Sequence, residues 1–163
     1  TSGAEAQRTS RLPNGQRGSP LILYLDTSAL VKLYVDEPGR VALMREVDAA
    51  AAVATVRIAY AEARAAFARK RREGGFDARG LRGAVEGLDE DWATFTVVEV
   101  AEPLVRRAGI LAERHGLRGY DAVHLAAAVE LARGGADVSF ACFDHHLRTA
   151  ARRVKLRALP MSA

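Results

Sequence analysis

The sequence predicts an α/β fold, a three-layer α/β/α sandwich with a mostly parallel central sheet. Three observations predict it. Short apolar or β-branched runs alternate with longer stretches of helical period. Read in order they give strand, helix, helix three times over, then strand, helix and a last strand, and such alternation implies parallel strands joined by helical crossovers. The first run, Leu21-Ile22-Leu23-Tyr24-Leu25, is continuously apolar, as in a central strand covered on both faces.

The elements follow one by one. The strand over 21–25 stops at Asp26, and Thr27 or Ser28 can cap a helix running through Tyr34. Pro38-Gly39 breaks the chain before a second helix over Arg40–Ala49, and Ala52–Thr55 reads as a short strand. A long Ala-rich helix is expected from Val56 to Arg72, stopped by Gly74-Gly75, and another from Asp77 to Asp89. Phe95–Val100 reads as a strand. A helix over Glu102–His115 follows, with Pro103 tolerated in its first turn. Gly119-Tyr120-Asp121 opens a helix that ends at Arg133-Gly134-Gly135. Val138–Phe143 is the fourth strand, Asp144 ends it, a helix covers His145–Arg153, and Leu156–Leu159 is a final edge strand. Residues 1–20 are rich in Gly, Ser, Pro, Arg and Gln and read as a flexible N-terminal arm, with one domain over 21–163.

Composition narrows the classes. A chain of 163 residues, 49% apolar and 27% charged, suits one soluble domain. No apolar run approaches the roughly 20 residues that span a bilayer, no secretory signal is visible, and no membrane partner is expected. The one cysteine, Cys142, has no partner for an internal disulfide, which fits a cytoplasmic location. The net charge of +4 favours a polyanion, but Arg8, Arg11 and Arg17 against Glu5 supply +2 of it from the arm.

Four acids stand where an α/β sheet places ligands, beyond the carboxyl ends of its strands. Asp26 follows the first strand and Asp144 the fourth. Asp121 lies in the first turn of its helix, and Glu62 in the second turn of the long helix. Each has an ordinary alternative: Asp26 and Asp144 as N-caps, Asp121 as a partner of the helix dipole, Glu62 as a solvated residue. Glu62 fits its alternative worst. Its helical neighbours Ile58, Ala59, Ala65 and Ala66 offer no ion pair, and a carboxylate on an apolar stripe is costly unless something meets it. If the four converge, each pair about 5 Å apart repels by about 3 kcal/mol at an effective dielectric near 20. A hard divalent cation removes that repulsion, and oxygen-only ligands suit Mg²⁺ or Mn²⁺. Such an ion can activate water, orient a phosphodiester and stabilise a leaving oxygen.

Four stretches resemble VapC-type toxins of the PIN-domain family: LYLDTSALVKLYVDEPG (Leu23–Gly39), AYAEARAAFAR (Ala59–Arg69), RGYDAVHLAAA (Arg118–Ala128) and CFDHHLRTAA (Cys142–Ala150). Their order and spacing match over residues 21–159. The resemblance implies a PIN fold, Mg²⁺- or Mn²⁺-dependent endoribonuclease activity, and the toxin role in a bacterial toxin–antitoxin pair. It places the acidic, metal-holding and catalytic quartet on Asp26, Glu62, Asp121 and Asp144, and the hydroxyl after the first aspartate on Thr27, with Ser28 beside it. It also implies an RNA substrate, a homodimer, and a cognate antitoxin through which operator DNA is bound.

Other residues weigh less. Arg118, three residues before Asp121, and Arg64 in the basic run of the long helix are candidate RNA contacts. Arg57, Arg64 and Arg71 recur every seven residues and could form one stripe, although cations near a helix end also complement its dipole. His124 reads as a structural helix residue. His145 and His146 are adjacent on a helix and diverge by about 100°, which disfavours chelation. An aspartyl-phosphate phosphatase also carries an aspartate after its first strand, but wants an acid where Ser28 stands. A PIN nuclease outside any toxin–antitoxin system, or an inactive binding module on the same fold, are the remaining readings.

Overall fold

The computed structural model describes residues 19–161. Of the arm expected over residues 1–20, all but Ser19 and Pro20 lies outside the described residues, as do residues 162–163 of the domain.

Strand β1 (Leu21–Leu25) leads through a one-residue step into helix α1 (Thr27–Lys32), and α2 (Arg40–Ala49) follows. Then come β2 (Ala52–Val56), α3 (Ala59–Arg72), α4 (Ala78–Trp92) and β3 (Thr96–Val98). The second half runs α5 (Glu102–His115), α6 (Gly119–Arg133), β4 (Asp137–Ala141), α7 (His145–Arg153) and β5 (Arg157–Ala158). Among the described residues the strands form one sheet in the order β3-β2-β1-β4-β5, and every pairing is parallel. Helices cover both faces, so the expected α/β/α architecture is the one observed. No helix among the described residues is long and apolar enough to cross a membrane.

This order places a switch point beside β1. The chain leaves β1 outward through β2 and β3, then returns to the other flank through β4 and β5. Neighbouring crossovers therefore diverge on either side of β1, opening a crevice beyond the carboxyl ends of β1 and β4. The core beneath it is apolar. Leu23, Tyr24, Leu25 and Phe140 are buried, with the Tyr24 and Phe140 rings stacked 5.4 Å apart. The small side chains of Ala122, Ala126, Ala127 and Ala128 are also fully buried, which lets α6 lie close against its neighbours. Gly116 ends α5 in the left-handed conformation (φ 64), which glycine adopts without strain. The chain then turns sharply into Leu117 and Arg118, and α6 starts at the sheet edge.

Several boundaries differ from the sequence reading. Val56 belongs to β2 and not to the long helix, because it pairs with Val98 of β3. Helix α3 therefore begins at Ala59, and Glu62 lies in its first turn. The third strand is limited to Thr96–Val98, the register that β2 can pair. Cys142 and Phe143 fall beyond β4, where the chain turns toward Asp144. Arg57 precedes α3 and pairs with Glu99, so it shares no helical stripe with Arg64 and Arg71.

Candidate active site

Asp26 is the innermost acid. It is only 4% exposed, and its Oδ1 caps α1 by accepting from the Ala29 N–H at 2.9 Å. The Ser28 hydroxyl donates to the same carboxylate, at 2.7 Å from Oδ1 and 2.9 Å from Oδ2. Ser28 Oγ in turn accepts from the Phe143 N–H at 3.0 Å, which ties the first turn of α1 to the turn after β4. Burial pushes the Asp26 carboxyl above its ordinary range, and His124, Ser28 and the Ala29 N–H offset only part of that. The expected N-cap role of Asp26 is therefore observed.

Glu62 is met by two donors on one oxygen. Thr27 Oγ1 donates to Oε1 at 2.8 Å, and His124 Nε2 lies 3.0 Å from the same atom. Burial alone would raise this carboxyl. The hydrogen bond and the charge of His124, then the hydrogen bond from Thr27 and the Arg118 charge, outweigh it and hold Glu62 below its ordinary range. This answers the question the sequence posed: the charge that seemed stranded on an apolar stripe is held from outside its own helix.

The proton positions around His124 follow from the partners. Thr27 spends its only hydrogen on Glu62, so at 2.9 Å from His124 Nε2 it acts as acceptor, and Nε2 carries a proton. On the other side, His124 Nδ1 stands 3.1 Å from the Tyr24 hydroxyl. Burial, reinforced by Asp26 and Glu62, pushes the Tyr24 phenol well above its ordinary range, so the hydroxyl beside Nδ1 keeps its proton. The result is a buried chain from Tyr24 to His124 to Glu62, with Thr27 closing the corner. A partner on the far ring nitrogen is what fixes a histidine's tautomer and orientation.

Asp121 and Asp144 form the lip. Asp121 lies in the first turn of α6, and Arg118 Nε donates to its Oδ2 at 2.7 Å. Asp144 caps α7 through Oδ1, which accepts from the Leu147 N–H at 2.8 Å. Its Oδ2 lies 3.8 Å from the other end of the same guanidinium, and its side chain is 38% exposed. The Arg118 side chain is 79% exposed, and Glu62 also feels its charge. One guanidinium therefore serves three of the four acids.

As the side chains stand, no three His, Cys, Asp or Glu among the described residues are arranged to hold a metal ion. Asp121 and Asp144 are turned to Arg118 and Asp26 to Ser28. The donor set nonetheless has the chemistry of a hard cation's site, being carboxylate oxygen throughout, and Arg118 shows that this edge draws positive charge. For a cation to enter, the long, exposed Arg118 side chain must turn away from Asp121 and Asp144.

Other candidates fall elsewhere. Arg64 is two residues beyond Glu62 and so points about 200° away around α3. It donates to the Tyr60 hydroxyl at 2.7 Å and its guanidinium lies 5.6 Å from that ring's centre, so the structure does not bring it to the carboxylates. Cys142 is buried beside the site. Its Sγ meets the Asp144 backbone and the Asp26 carboxylate, and burial first, then Asp26, push the thiol far above its ordinary range. The residues that sequence reasoning passed over are Tyr24 and, in this role, His124. The available signal was a polar group on each buried face: a tyrosine inside an apolar strand, and a histidine three residues after Asp121 in an alanine-rich helix.

A parallel sheet whose central strand ends on a buried aspartate, with further carboxylates at three helix starts around it, defines the class. The chain belongs to the PIN-domain family, whose model matches residues 23–153. Within that family it is 37% identical, over 139 residues, to Ribonuclease VapC45 of Mycobacterium tuberculosis (strain CDC 1551 / Oshkosh), an alignment covering 85% of this chain and 95% of the relative. Among solved structures it resembles VapC20 of Mycobacterium tuberculosis, a sarcin–ricin-loop-cleaving toxin, with a TM-score of 0.58 at 19% identity over 78% of this chain and 94% of the other. It also resembles a chain of a toxin–antitoxin complex from Klebsiella pneumoniae, with a TM-score of 0.51 at 16% identity over 75% and 86%. At those identities the structural likeness speaks for the fold.

Proposed function

We propose that this chain is an endoribonuclease that cleaves RNA phosphodiester bonds with the help of Mg²⁺ or Mn²⁺, and that it is the toxin of a bacterial toxin–antitoxin pair. The observation that carries this reading is that the charge of Arg118 reaches Asp121, Asp144 and Glu62 at the end of the sheet where the buried Asp26 also stands. The 37% identity to a ribonuclease over most of both chains supports the reaction. The toxin and toxin–antitoxin names of the two structural neighbours fit the biological role.

The four carboxylates would hold the cation, which when bound supplies Lewis acidity toward the phosphodiester and a lowered pKa for water. The chain's own residues then divide the work. Glu62 has one oxygen saturated by Thr27 and His124, so Oε2 is the atom it presents. Asp26 is locked by Ser28 and Ala29 and sets the depth of the site. Asp144, the acid most open to solvent of those whose side chains frame the lip, can exchange a proton with bulk water. Arg118, released from Asp121, is placed to hold a phosphate of the substrate.

The same reading includes a cognate antitoxin, a homodimer, operator DNA reached only through the antitoxin, and a cytoplasmic site of action. Val100, Val105 and Tyr120 leave an apolar surface available to a second chain. The test is direct. Metal-stripped protein should not cut RNA, Mn²⁺ or Mg²⁺ should restore cutting, and EDTA should abolish it. Cleavage that is indifferent to EDTA removes the metal from this reading.

A further inference from the structure

We propose that the groove between α5, α6 and α7 is a track for the RNA backbone, holding substrate beyond the bond that is cut. The inference rests on the ribonuclease reading and extends it to residues outside the carboxylate site. Two adjoining cavities carry it. A small one, about 220 Å³, begins at His145, the residue after Asp144, and is walled by His115, His146 and Arg153. A larger one, about 840 Å³, continues from the same His115 and Arg153 toward the far end of α6. The shared walls make them one path, which starts at the lip of the acidic site and runs at least the length of α7, about 13 Å.

The larger cavity is lined by Arg106, Arg107, Arg114, Arg133, Arg153 and Lys155, and by no acid. Arg106 and Arg107 are paired with Glu102 and Glu130. Among the described residues the other four cations have no ion pair. Helix dipoles account for Arg114, Arg133 and Arg153 one at a time, because each lies in the last turn of its helix. They do not account for six cations on three helices and a turn facing one groove. The field is felt locally: burial and then the charges of Arg114 and Arg153 hold the His115 imidazole below its ordinary range. His115 Nε2 is also buried on this wall without a hydrogen-bond partner among the described residues.

The chemistry favours a polyanion over a protein segment. Leu111 and Leu156, the leucines of the floor, are core residues. Ile110 is the one strongly exposed apolar side chain of the lining, too little to anchor an amphipathic helix. No Phe, Tyr or Trp lines the groove, so its only stacking surfaces are imidazoles and guanidinium planes, which suit any base. The track therefore grips phosphates and contributes affinity without sequence preference.

The test uses the full chain with Arg133→Gln, Arg153→Gln and Lys155→Gln combined, all outside the acidic site, and each single variant as a check on folding. Cleavage of a random 30-nucleotide single-stranded RNA is compared with that of random hexamers. The track predicts a KM for the long RNA raised about tenfold, with kcat and the hexamer KM unchanged. It also predicts that the slope of log affinity against log salt shrinks by about 2, at roughly 0.7 per phosphate contact on a single strand. An unchanged KM and salt slope for the long RNA overturns the track, as does a loss that falls equally on the hexamers. Intact RNA binding with loss of a partner protein overturns it too, and reassigns the groove. If the unaltered protein cuts neither RNA, the ribonuclease reading itself has failed.

Discussion

His124 Nε2 and Glu62 Oε1 lie 3.0 Å apart, and the histidine that makes this bond is held from behind by Tyr24. The Glu62 carboxylate is thus held by a buried side chain from another helix. Removing that hold has a specific signature. His124→Ala should lower metal-dependent RNA cleavage by about 10- to 100-fold, the usual scale for partners that orient a ligand. His124→Gln, which can return an N–H to Oε1, should recover part of it. Mn²⁺ affinity measured by calorimetry should weaken in step. Equal losses in both variants, with Mn²⁺ affinity unchanged, would show that His124 only fills space.

Asp26 is a second point of stress. Its carboxyl is raised by burial, so the folded chain binds a proton there more tightly than the unfolded chain does. Stability contributed by this residue therefore falls as pH rises from the ordinary aspartate value of 3.8 through the raised one, and stays lost above it. Asp26→Asn keeps an N-capping side chain and removes the charge. Without metal, at neutral pH, it should melt about 2–4 °C higher, as about 1 kcal/mol does in a chain of this size. Cleavage should be abolished. Thermal melts across pH 4–8 check the sign, and a variant that melts lower at pH 7 contradicts it.

Glu62 acts in the opposite direction. Its carboxyl is held below the ordinary range, so the stability it contributes is present above the ordinary glutamate value and disappears as pH falls through the lowered one. Metal binding needs both acids ionised. Mn²⁺ affinity should accordingly fall, on acidification, first where Asp26 takes its proton, above the ordinary aspartate range. An affinity that stays flat down to pH 4 would place the metal away from Asp26.

Arg118 holds the charge of the lip in the absence of metal. Arg118→Gln should tighten Mn²⁺ binding several-fold, because no side chain then competes for Asp121 and Asp144, and should raise the KM for RNA about tenfold by removing a phosphate contact. The two effects have opposite signs and are read by calorimetry and by steady-state kinetics. Weaker Mn²⁺ binding in this variant would mean that Arg118 organises the acids and does not compete for them.

Much of this was legible in the chain. Leu21–Leu25 declared itself, since a five-residue apolar run between Pro20 and Asp26 has few other homes in a soluble domain. The helix over Glu102–His115 was read with its observed bounds, and the beginning of α7 was written in Asp144. Val56 was not legible. A β-branched residue at the junction of a strand and an Ala-rich helix serves either, and its pairing with Val98 decided, a contact 42 residues away. The positions of the four acids were readable because strand ends and helix starts are local features. What holds them was not. Tyr24 and His124 are 100 residues apart, and Arg118 reaches Asp144 across a whole helix and strand. Arg64 failed for a local reason that helical geometry already contained: two residues from Glu62, it faces the other way.

The central claim is that Asp26, Glu62, Asp121 and Asp144 make one metal-dependent centre for cutting RNA. Cleavage of RNA by metal-stripped protein, titrated with Mn²⁺ for the unaltered chain and for Asp121→Asn, tests it most directly. The account predicts Mn²⁺-dependent cutting by the former and loss of at least about 100-fold in the latter, with its fold and melting behaviour retained. Cutting by Asp121→Asn at the unaltered rate, or cutting without any divalent cation, would contradict it.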